Sequence, residues 1–359
     1  MNPIKLGIIG CGAIAQIQHL PNLAGLREEF DVTMVCDVSP ALAQCVAEVF
    51  RVPQHTTDYR ELLGSDVDAV LLCHTDPKTE VAVAAFEAGK HVFIEKPMCF
   101  SLQEAHAIIA AAERSGKVGM VGYMKVYDPA YEIAQREVEG MEDVRFVQVN
   151  HLHPDNGLHL RQFRLKRFDD VPPDARAAVH AARQAALREA IGDAPPHVER
   201  AFFVLAGSMI HDLYGLRVLL GVPRRVVSAE IWNDGSAITT TLAYANGARG
   251  VATWVDLAHL WDFRETLEVY GDSKRVLLSY PTGFARGILS TVTVYEMDAH
   301  GATHRREPTV AWESAFVREL RHFHACIVHG TPPRTSVASA REDVALIIDI
   351  VNAYRRRQE

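Results

Sequence analysis

Apolar positions in the first third of the chain fall in short β-rich runs, at 6–9, 32–36, 69–73, 92–94 and 118–121. Between them, 13–24, 40–50, 79–88 and 102–114 carry apolar residues at helical spacing. Strand alternating with helix predicts βαβ units and a doubly wound parallel sheet covered on both faces. Beyond about residue 143 the pattern changes. The stretches 144–150, 226–232, 238–244, 250–255, 266–270, 275–279 and 291–295 alternate or run apolar, with turn signals between them. Tyr244-Ala245-Asn246-Gly247-Ala248 predicts a hairpin with a type I′ turn, because Asn-Gly supplies positive φ. Asp298-Ala299-His300-Gly301 predicts another turn. Helical spacing at 312–329 and 338–356 closes the chain. The fold expected is α/β: an N-terminal doubly wound parallel sheet, then an α/β domain with a large, open, mostly antiparallel sheet. The domains are placed at 1–123 and 124–359, the second enlarged by a helical insertion at about 155–206.

Within that insertion, Val171-Pro172-Pro173 opens an Ala-rich helix, 174–191, and Gly192 with Pro195-Pro196 stops it. Its apolar stripe is Val179, Ala182, Ala186 and Ala190. Such a helix either packs on the sheet from outside or serves as a lid or oligomer arm.

Composition narrows the partners. The 359 residues suffice for two domains without disulfide or metal staples. With 45 acidic against 37 basic side chains the net charge is −8, and no basic run exceeds Arg355-Arg356-Arg357. That balance weighs against nucleic acid, whose phosphates must be neutralised. No leader pattern precedes the first strand and no stretch of 18 apolar residues exists, so no membrane partner is expected. The six cysteines show no C-x-x-C pair, as in free thiols of a cytoplasmic protein. Histidine is the one excess, at 17 residues.

Gly10-Cys11-Gly12-Ala13-Ile14-Ala15 is G-x-G-x-x-A between a strand and a helix. Gly10 permits the tight turn, and Gly12 lets the backbone approach a pyrophosphate. The following helix, opened by Ala13 and Ile14, turns N–H donors toward the anion. The second strand ends in Asp37, whose carboxylate can accept from ribose hydroxyls and repels a 2′-phosphate. Val38 follows, with no Arg or Lys beside it, so NAD is expected rather than NADP. After the fifth strand comes Glu95-Lys96-Pro97. A lysine there faces the ligand crevice and can hydrogen-bond a reacting oxygen; the alternative is an ordinary Glu–Lys pair at a strand end. Pro97 is a candidate cis residue.

These blocks, with Ala88-Gly89-Lys90-His91 before the Glu-Lys-Pro strand and Gly122-Tyr123-Met124-Lys125 after it, resemble the Gfo/Idh/MocA oxidoreductases. So do His211-Asp212-Leu213 with Leu219-Leu220-Gly221-Val222-Pro223, and Gly330-Thr331-Pro332-Pro333 before the last helix. The resemblance spans nearly the whole chain except about 155–200. It implies a Rossmann domain followed by an α/β domain, NAD(P), sugar or cyclitol substrates, and dimers or tetramers built on the second sheet. It also implies that Lys96 sits beside nicotinamide and substrate, that Lys125 lines the substrate site, and that His211 acts as general acid or base. Imidazole, titrating near neutrality, suits that last task.

Departures from the family pattern are as informative. Gly207 stands where the family carries Asp, four residues before the histidine on the same helical face. Asp212 points elsewhere on a regular helix, whereas Tyr214, at i+3, can supply a hydroxyl to His211. Cys73-His74-Thr75 replaces the usual Thr-Pro-Asn, with Lys78 in place of a nearby histidine, so Cys73, His74, Thr75 and Glu95 are expected near the cofactor. His151 and His153 share one strand face, with His159 six residues on. They line a pocket and bind substrate hydroxyls, or fill space, or share a metal; no carboxylate at a recognised spacing supports a metal, and none is assigned. Arg161, Arg164, Lys166 and Arg167 form either a solvated face or a contact for a phosphorylated sugar. The expected function is an NAD-dependent oxidoreductase interconverting a secondary alcohol and a ketone on a sugar, cyclitol or polyol. A non-catalytic NAD-binding sensor and a redox-assisted glycoside-cleaving enzyme are the alternatives.

Overall fold

The computed structural model describes residues 2–358, which divide into two compact units. The first contains the chain up to Tyr123, then Gln162–Gly192 and Phe316–Val344. Its sheet has six parallel strands: β1 (Ile4–Ile9), β2 (Phe30–Cys36), β3 (Gln54–Thr56), β4 (Ala69–Leu72), β5 (His91–Glu95) and β6 (Gly119–Gly122). Their order is β3-β2-β1-β4-β5-β6, the doubly wound arrangement whose switch point lies between β1 and β4. Leu71, Val92, Phe93 and Ile94 are fully buried, as strands covered on both faces must be. The helix Leu102–Ser115 opens on a capping box, Ser101 with Glu104, and stops at Gly116 in the left-handed region. Two elements escaped the pattern reading, β3 and the helix Tyr59–Gly64. Both are short, and Gln54 and His55 of β3 are exposed, so no apolar run marks them.

The simple cut at residue 123 is incomplete, because two later segments return to this unit. The helix Ala315–His329 lays Phe323 against Phe30 and Phe93, with ring centroids 6.5 Å and 5.5 Å apart. Residues 335–336 then lie along β6: Val121 N–H donates to Thr335 O at 2.8 Å, and the Thr335 hydroxyl donates to Val121 O at 2.7 Å. The Ala-rich helix forms as Pro173–Ile191, and the stripe read from its sequence packs only at its C-terminal end, where Ala186 is buried and Ala190 half-buried. Val179 and Ala182 are exposed, and Ala186, Leu187 and Ile191 are buried. Only its last turns pack, and they do so in the first unit, where the Ser101 hydroxyl donates to Glu189 at 2.6 Å.

The second unit holds Met124–Arg161, Asp193–Ala315 and the chain from Ala345 onward. Its eight strands are β7 (Phe146–His153), β8 (Arg225–Trp232), β9 (Ala237–Ala243), β10 (Arg249–Asp256), β11 (Arg264–Tyr270), β12 (Lys274–Tyr280), β13 (Thr291–Met297) and β14 (Thr303–Arg306). They run in the order β14-β13-β12-β11-β7-β10-β9-β8. Every neighbouring pair is antiparallel except β7 with β10. The period of two is plain: Val147, Val149 and His151 of β7 are buried, as are Glu265, Leu267 and Val269 of β11. The β9–β10 hairpin differs from the type I′ expectation. Only Gly247 has positive φ (90°), and Gly247 N–H donates to Tyr244 O while Tyr244 N–H donates to Ala248 O. That is a three-residue loop, a type I turn followed by a bulge glycine, in which Asn246 keeps negative φ and its side chain accepts from Ala248 N–H.

One helical run among the described residues, Pro196–Leu220, is long and apolar enough by length and composition to cross a bilayer, beyond what the apolar-run reading expected. Half of it is buried within the protein, and it carries the ion-paired Asp212, which marks a core helix. Between Leu205 and Met209 it is wound as a π-helix.

Candidate active site

The first unit places the cofactor residues around the end of β1. Gly10 has φ of 96°, and a side chain there would come within 2.3 Å of His74 N, so only glycine fits the crossing. A side chain at Gly12 would meet no heavy atom within 4 Å, leaving the loop's outer surface open to a ligand. Ala13 and Ile14 are half-buried just beyond. Asp37 closes this cradle from β2: its carboxylate accepts from Cys11 N–H at 2.8 Å and Ser39 N–H at 2.9 Å. Burial pushes its pKa up, while those two backbone donors hold it down. A glycine cradle beside a strand-end carboxylate fits a dinucleotide's pyrophosphate and ribose.

Lys96 follows β5, and its peptide bond to Pro97 is cis. Beside it, Glu95 is bonded to His19, Nε2 to Oε1 at 2.6 Å, with both side chains buried. Burial raises the Glu95 pKa, but His19 and the ammonium groups of Lys96 and Lys78 outweigh it and hold Glu95 below its ordinary value. His19 sits at the end of a π-helical stretch, Ala15–His19. It carried no motif in the sequence; the fold brings it to Glu95. Of the β4 loop residues, Thr75 is exposed and burial pushes the Cys73 thiol well up. Burial likewise pushes His74 down to about 3, so its ring is neutral. Lys78 is buried, paired with Asp76 and reaching Pro97 O at 3.4 Å.

The second unit assembles the other candidates. Tyr214, fully buried, sets its hydroxyl 2.8 Å from His211 Nδ1 and accepts from Lys125 N–H at 3.2 Å. The i+3 pairing expected from sequence is therefore formed, and it fixes the orientation of the imidazole. The four-residue argument for position 207 assumes a regular α-helix, which the π-helical winding interrupts. Gly207 and Ser208 instead line a cavity of about 760 Å³ with His153, Asn156, Arg200 and Trp254.

Lys125 is buried, and its ammonium is paired with Glu265 and lies over the Tyr280 ring. The register explains the rest. Glu265 of β11 stands directly opposite His151 of β7, with Trp254 of β10 on the other side. His151 Nδ1 is 2.7 Å from Asp212 Oδ2, and its Nε2 is 3.1 Å from His153 Nδ1. His153 Nε2 in turn meets Asn156 Oδ1 at 3.1 Å, and its ring stacks on Trp254. With the Asn156 oxygen as acceptor, His153 donates from Nε2 and presents Nδ1 to His151 as an acceptor. Asp212 thus orients His151 rather than His211. His151, Asp212 and Glu265 gather ligand atoms within 4.8 Å of one another, the geometry of a metal cluster. The Lys125 ammonium already supplies a cation there. His159 is buried, with its ring against Phe263.

Burial pushes His153 down to about 4, helped by the neighbouring His151. Depressed histidines such as His74 and His153 stabilise the fold fully above their unfolded value near 6.5, and that contribution is lost as pH falls toward 4. Urea midpoints are expected to drop between pH 6.5 and 4, by up to about tenfold in the folding constant per group per pH unit. A flat midpoint across that window would contradict the burial of these rings.

The class of protein follows from these features: a two-part α/β protein with a dinucleotide cradle at the switch point of its first sheet. Residues 4–123 match the model of the Gfo/Idh/MocA oxidoreductase family, NAD-binding Rossmann fold. Inositol 2-dehydrogenase of Salmonella typhimurium is 33% identical over 132 residues, 36% of this chain and 39% of that protein. The chain matches only about two fifths of the length of its first curated relatives. The scyllo-inositol 2-dehydrogenase (NAD(+)) of Bacillus subtilis is 23% identical over 98% of this chain and 94% of its own. Levoglucosan dehydrogenase in complex with NADH superposes with a TM-score of 0.77 at 19% identity, covering 99% of this chain and 97% of that one. At that identity the likeness shows the shared fold.

Proposed function

We propose that this protein is an NAD-dependent oxidoreductase that interconverts a secondary alcohol and a ketone on a sugar, cyclitol or related polyol. The observation that carries the reading is the His211–Tyr214 pair in a chain whose first unit is an NAD-binding Rossmann domain with Lys96 after its fifth strand. Gly10, Gly12, Ala13, Ile14 and Asp37 would hold the dinucleotide, with Cys73, His74, Thr75 and Glu95 around it. Bound nicotinamide supplies or accepts the hydride at the carbinol carbon. Lys96 donates a hydrogen bond to the reacting oxygen, and His211 Nε2 takes the hydroxyl proton during oxidation and returns it during reduction. Tyr214 positions that ring in place of the family's carboxylate.

Polyol specificity rests on the cavity, where His153, Asn156, Arg200, Ser208 and Asp256 offer alternating donors and acceptors beside the Trp254 ring. His153, backed by His151 and Asp212, compensates for the carboxylate that Gly207 lacks. Lys125 contributes by holding Glu265 and the Tyr214 hydroxyl. The names of the relatives, inositol and levoglucosan dehydrogenases, point to the same substrate class. A cytoplasmic homodimer or homotetramer, associating through the half-exposed face of the second sheet, is part of the reading; sedimentation as a monomer would remove that part.

Mixing protein, NAD and a panel of inositols, anhydrosugars and aldoses is expected to raise NADH absorbance for at least one member. Gly207 favours a second reading, a non-catalytic NAD-binding sensor. Bound NADH with no turnover in either direction on the whole panel would establish the sensor and sink the enzyme.

A further inference from the structure

Residues 162–170, the irregular stretch that enters the inserted helix, are tied to the cofactor cradle at two points within the first unit. Gln16, on the helix that leaves the glycine loop, pairs its side-chain amide with the Lys166 backbone in both directions. Its Nε2 donates to Lys166 O at 3.1 Å, and Lys166 N–H donates to its Oε1 at 2.9 Å. The same Nε2 donates to Cys11 O at 2.8 Å, so the stretch is bonded to the glycine loop through one side chain. Four residues later, Asp170 accepts from the Ser39 hydroxyl and, at 2.8 Å, from Ala41 N–H. Ser39 is the cap of the helix Pro40–Phe50 and donates its own N–H to Asp37. The two anchors therefore sit on the pyrophosphate loop and on the ribose carboxylate's loop. Four residues of extended chain span about 14 Å at most, so the stretch bridges one loop to the other directly.

We propose that residues 162–170 form a strap across the adenosine half of the bound dinucleotide, slowing its release, and that Asp170 excludes a 2′-phosphate. The inference rests on NAD binding by this unit and on no catalytic step. A 2′-phosphate at the Asp37 end of the cradle would seek the N–H and hydroxyl at the start of the Pro40–Phe50 helix. Asp170 already occupies both. It also places a second carboxylate near Asp37, where its charge is felt by the Asp37 side chain. The basic side chains on the strap, Arg164, Lys166 and Arg167, are thereby assigned to a segment that covers cofactor rather than to a phosphorylated-sugar site.

The test uses the whole protein with NADH and NADPH as probes. NADH release is followed by its fluorescence after a chase with excess NAD. Gln16→Ala and Asp170→Ala, each of which frees one anchor, are expected to speed release about tenfold. Asp170→Asn keeps an acceptor for Ala41 N–H but removes the charge, and is expected to raise affinity for NADPH relative to NADH about tenfold with a smaller effect on release. In the wild-type protein, backbone amides of 162–170 are expected to gain hydrogen-exchange protection when NADH binds. Unchanged release in both alanine variants, or no added protection, overturns the strap. An unchanged NADPH-to-NADH ratio in Asp170→Asn overturns the discrimination by Asp170. All of these readouts are independent of turnover, so they stand or fall apart from the oxidoreductase reading.

Discussion

Lys96→Ala is expected to lower turnover by roughly a hundredfold to ten-thousandfold, the range that a positioned acid–base group contributes, while NADH still binds. The lysine follows the fifth parallel strand, beside a proline, and Glu95 beside it is occupied by His19, with Oε2 accepting from Lys96 N–H. Glu95 is thus engaged within the protein, by His19 and by the Lys96 backbone N–H. Removing the Lys96 ammonium takes away a donor to the reacting oxygen and leaves the glycine loop and Asp37 intact. A variant with unchanged kcat on a substrate of the wild-type protein would remove Lys96 from the chemistry. A variant that has lost NADH affinity to the same degree would make it a cofactor ligand instead. Failure of the wild-type protein on the whole polyol panel, with NADH still bound, leaves the sensor reading standing.

Lys125→Met is expected to destabilise the protein by about 3–5 kcal/mol, the usual cost of leaving a buried charge without its partner. Lys125 and Glu265 are nearly inaccessible, at 4% and 1% exposure, and Asp212 lies in the same cluster. Burial pushes Glu265 up to about 7, against the pull of the Lys125 ammonium. A carboxyl whose folded pKa is raised stabilises the fold below its unfolded value near 4.5, and that contribution is lost as pH rises through the folded value. The Lys125→Met penalty is therefore expected to be larger at pH 8 than at pH 5.5, as read from urea midpoints. The double variant Lys125→Met with Glu265→Leu is expected to recover part of the loss, since neither charge is then stranded. Equal midpoints for wild type and Lys125→Met at pH 8 would contradict the buried pair.

Local features of the sequence carried the first unit. Five of its six strands, the positive-φ glycine at position 10, the strand-ending Asp37 and the Glu-Lys-Pro block all depend on neighbours within a few residues, and each is where the pattern placed it. Long-range partners were not legible. Glu95 meets His19 across 76 residues of chain, Lys125 meets Glu265 across 140, and Lys166 meets Gln16 across 150. Nothing local distinguishes a lysine that faces substrate from one that neutralises a buried glutamate; the register of β7 against β11 decides it. The strand period did place His151 and His153 together correctly, but could not show that Asp212 would take the far side of His151. Helical periodicity failed where the helix itself departs from 3.6 residues per turn, at 205–209. The stripe on the inserted helix holds only at its C-terminal end, with Ala186 buried and Val179 and Ala182 exposed.

The bonds between Val121 and Thr335 also bear on how the protein is made. A ribosome delivers β6 long before the segment that finishes its outer edge, which lies 214 residues further along. Until then, the N-terminal sheet offers newly synthesised chain an open border able to accept a foreign strand. A fragment ending after residue 123 would keep that border permanently and is expected to aggregate, whereas a chain that reaches Thr335 closes it. Vectorial synthesis thus separates the making of this sheet from the covering of its edge by 214 residues of chain.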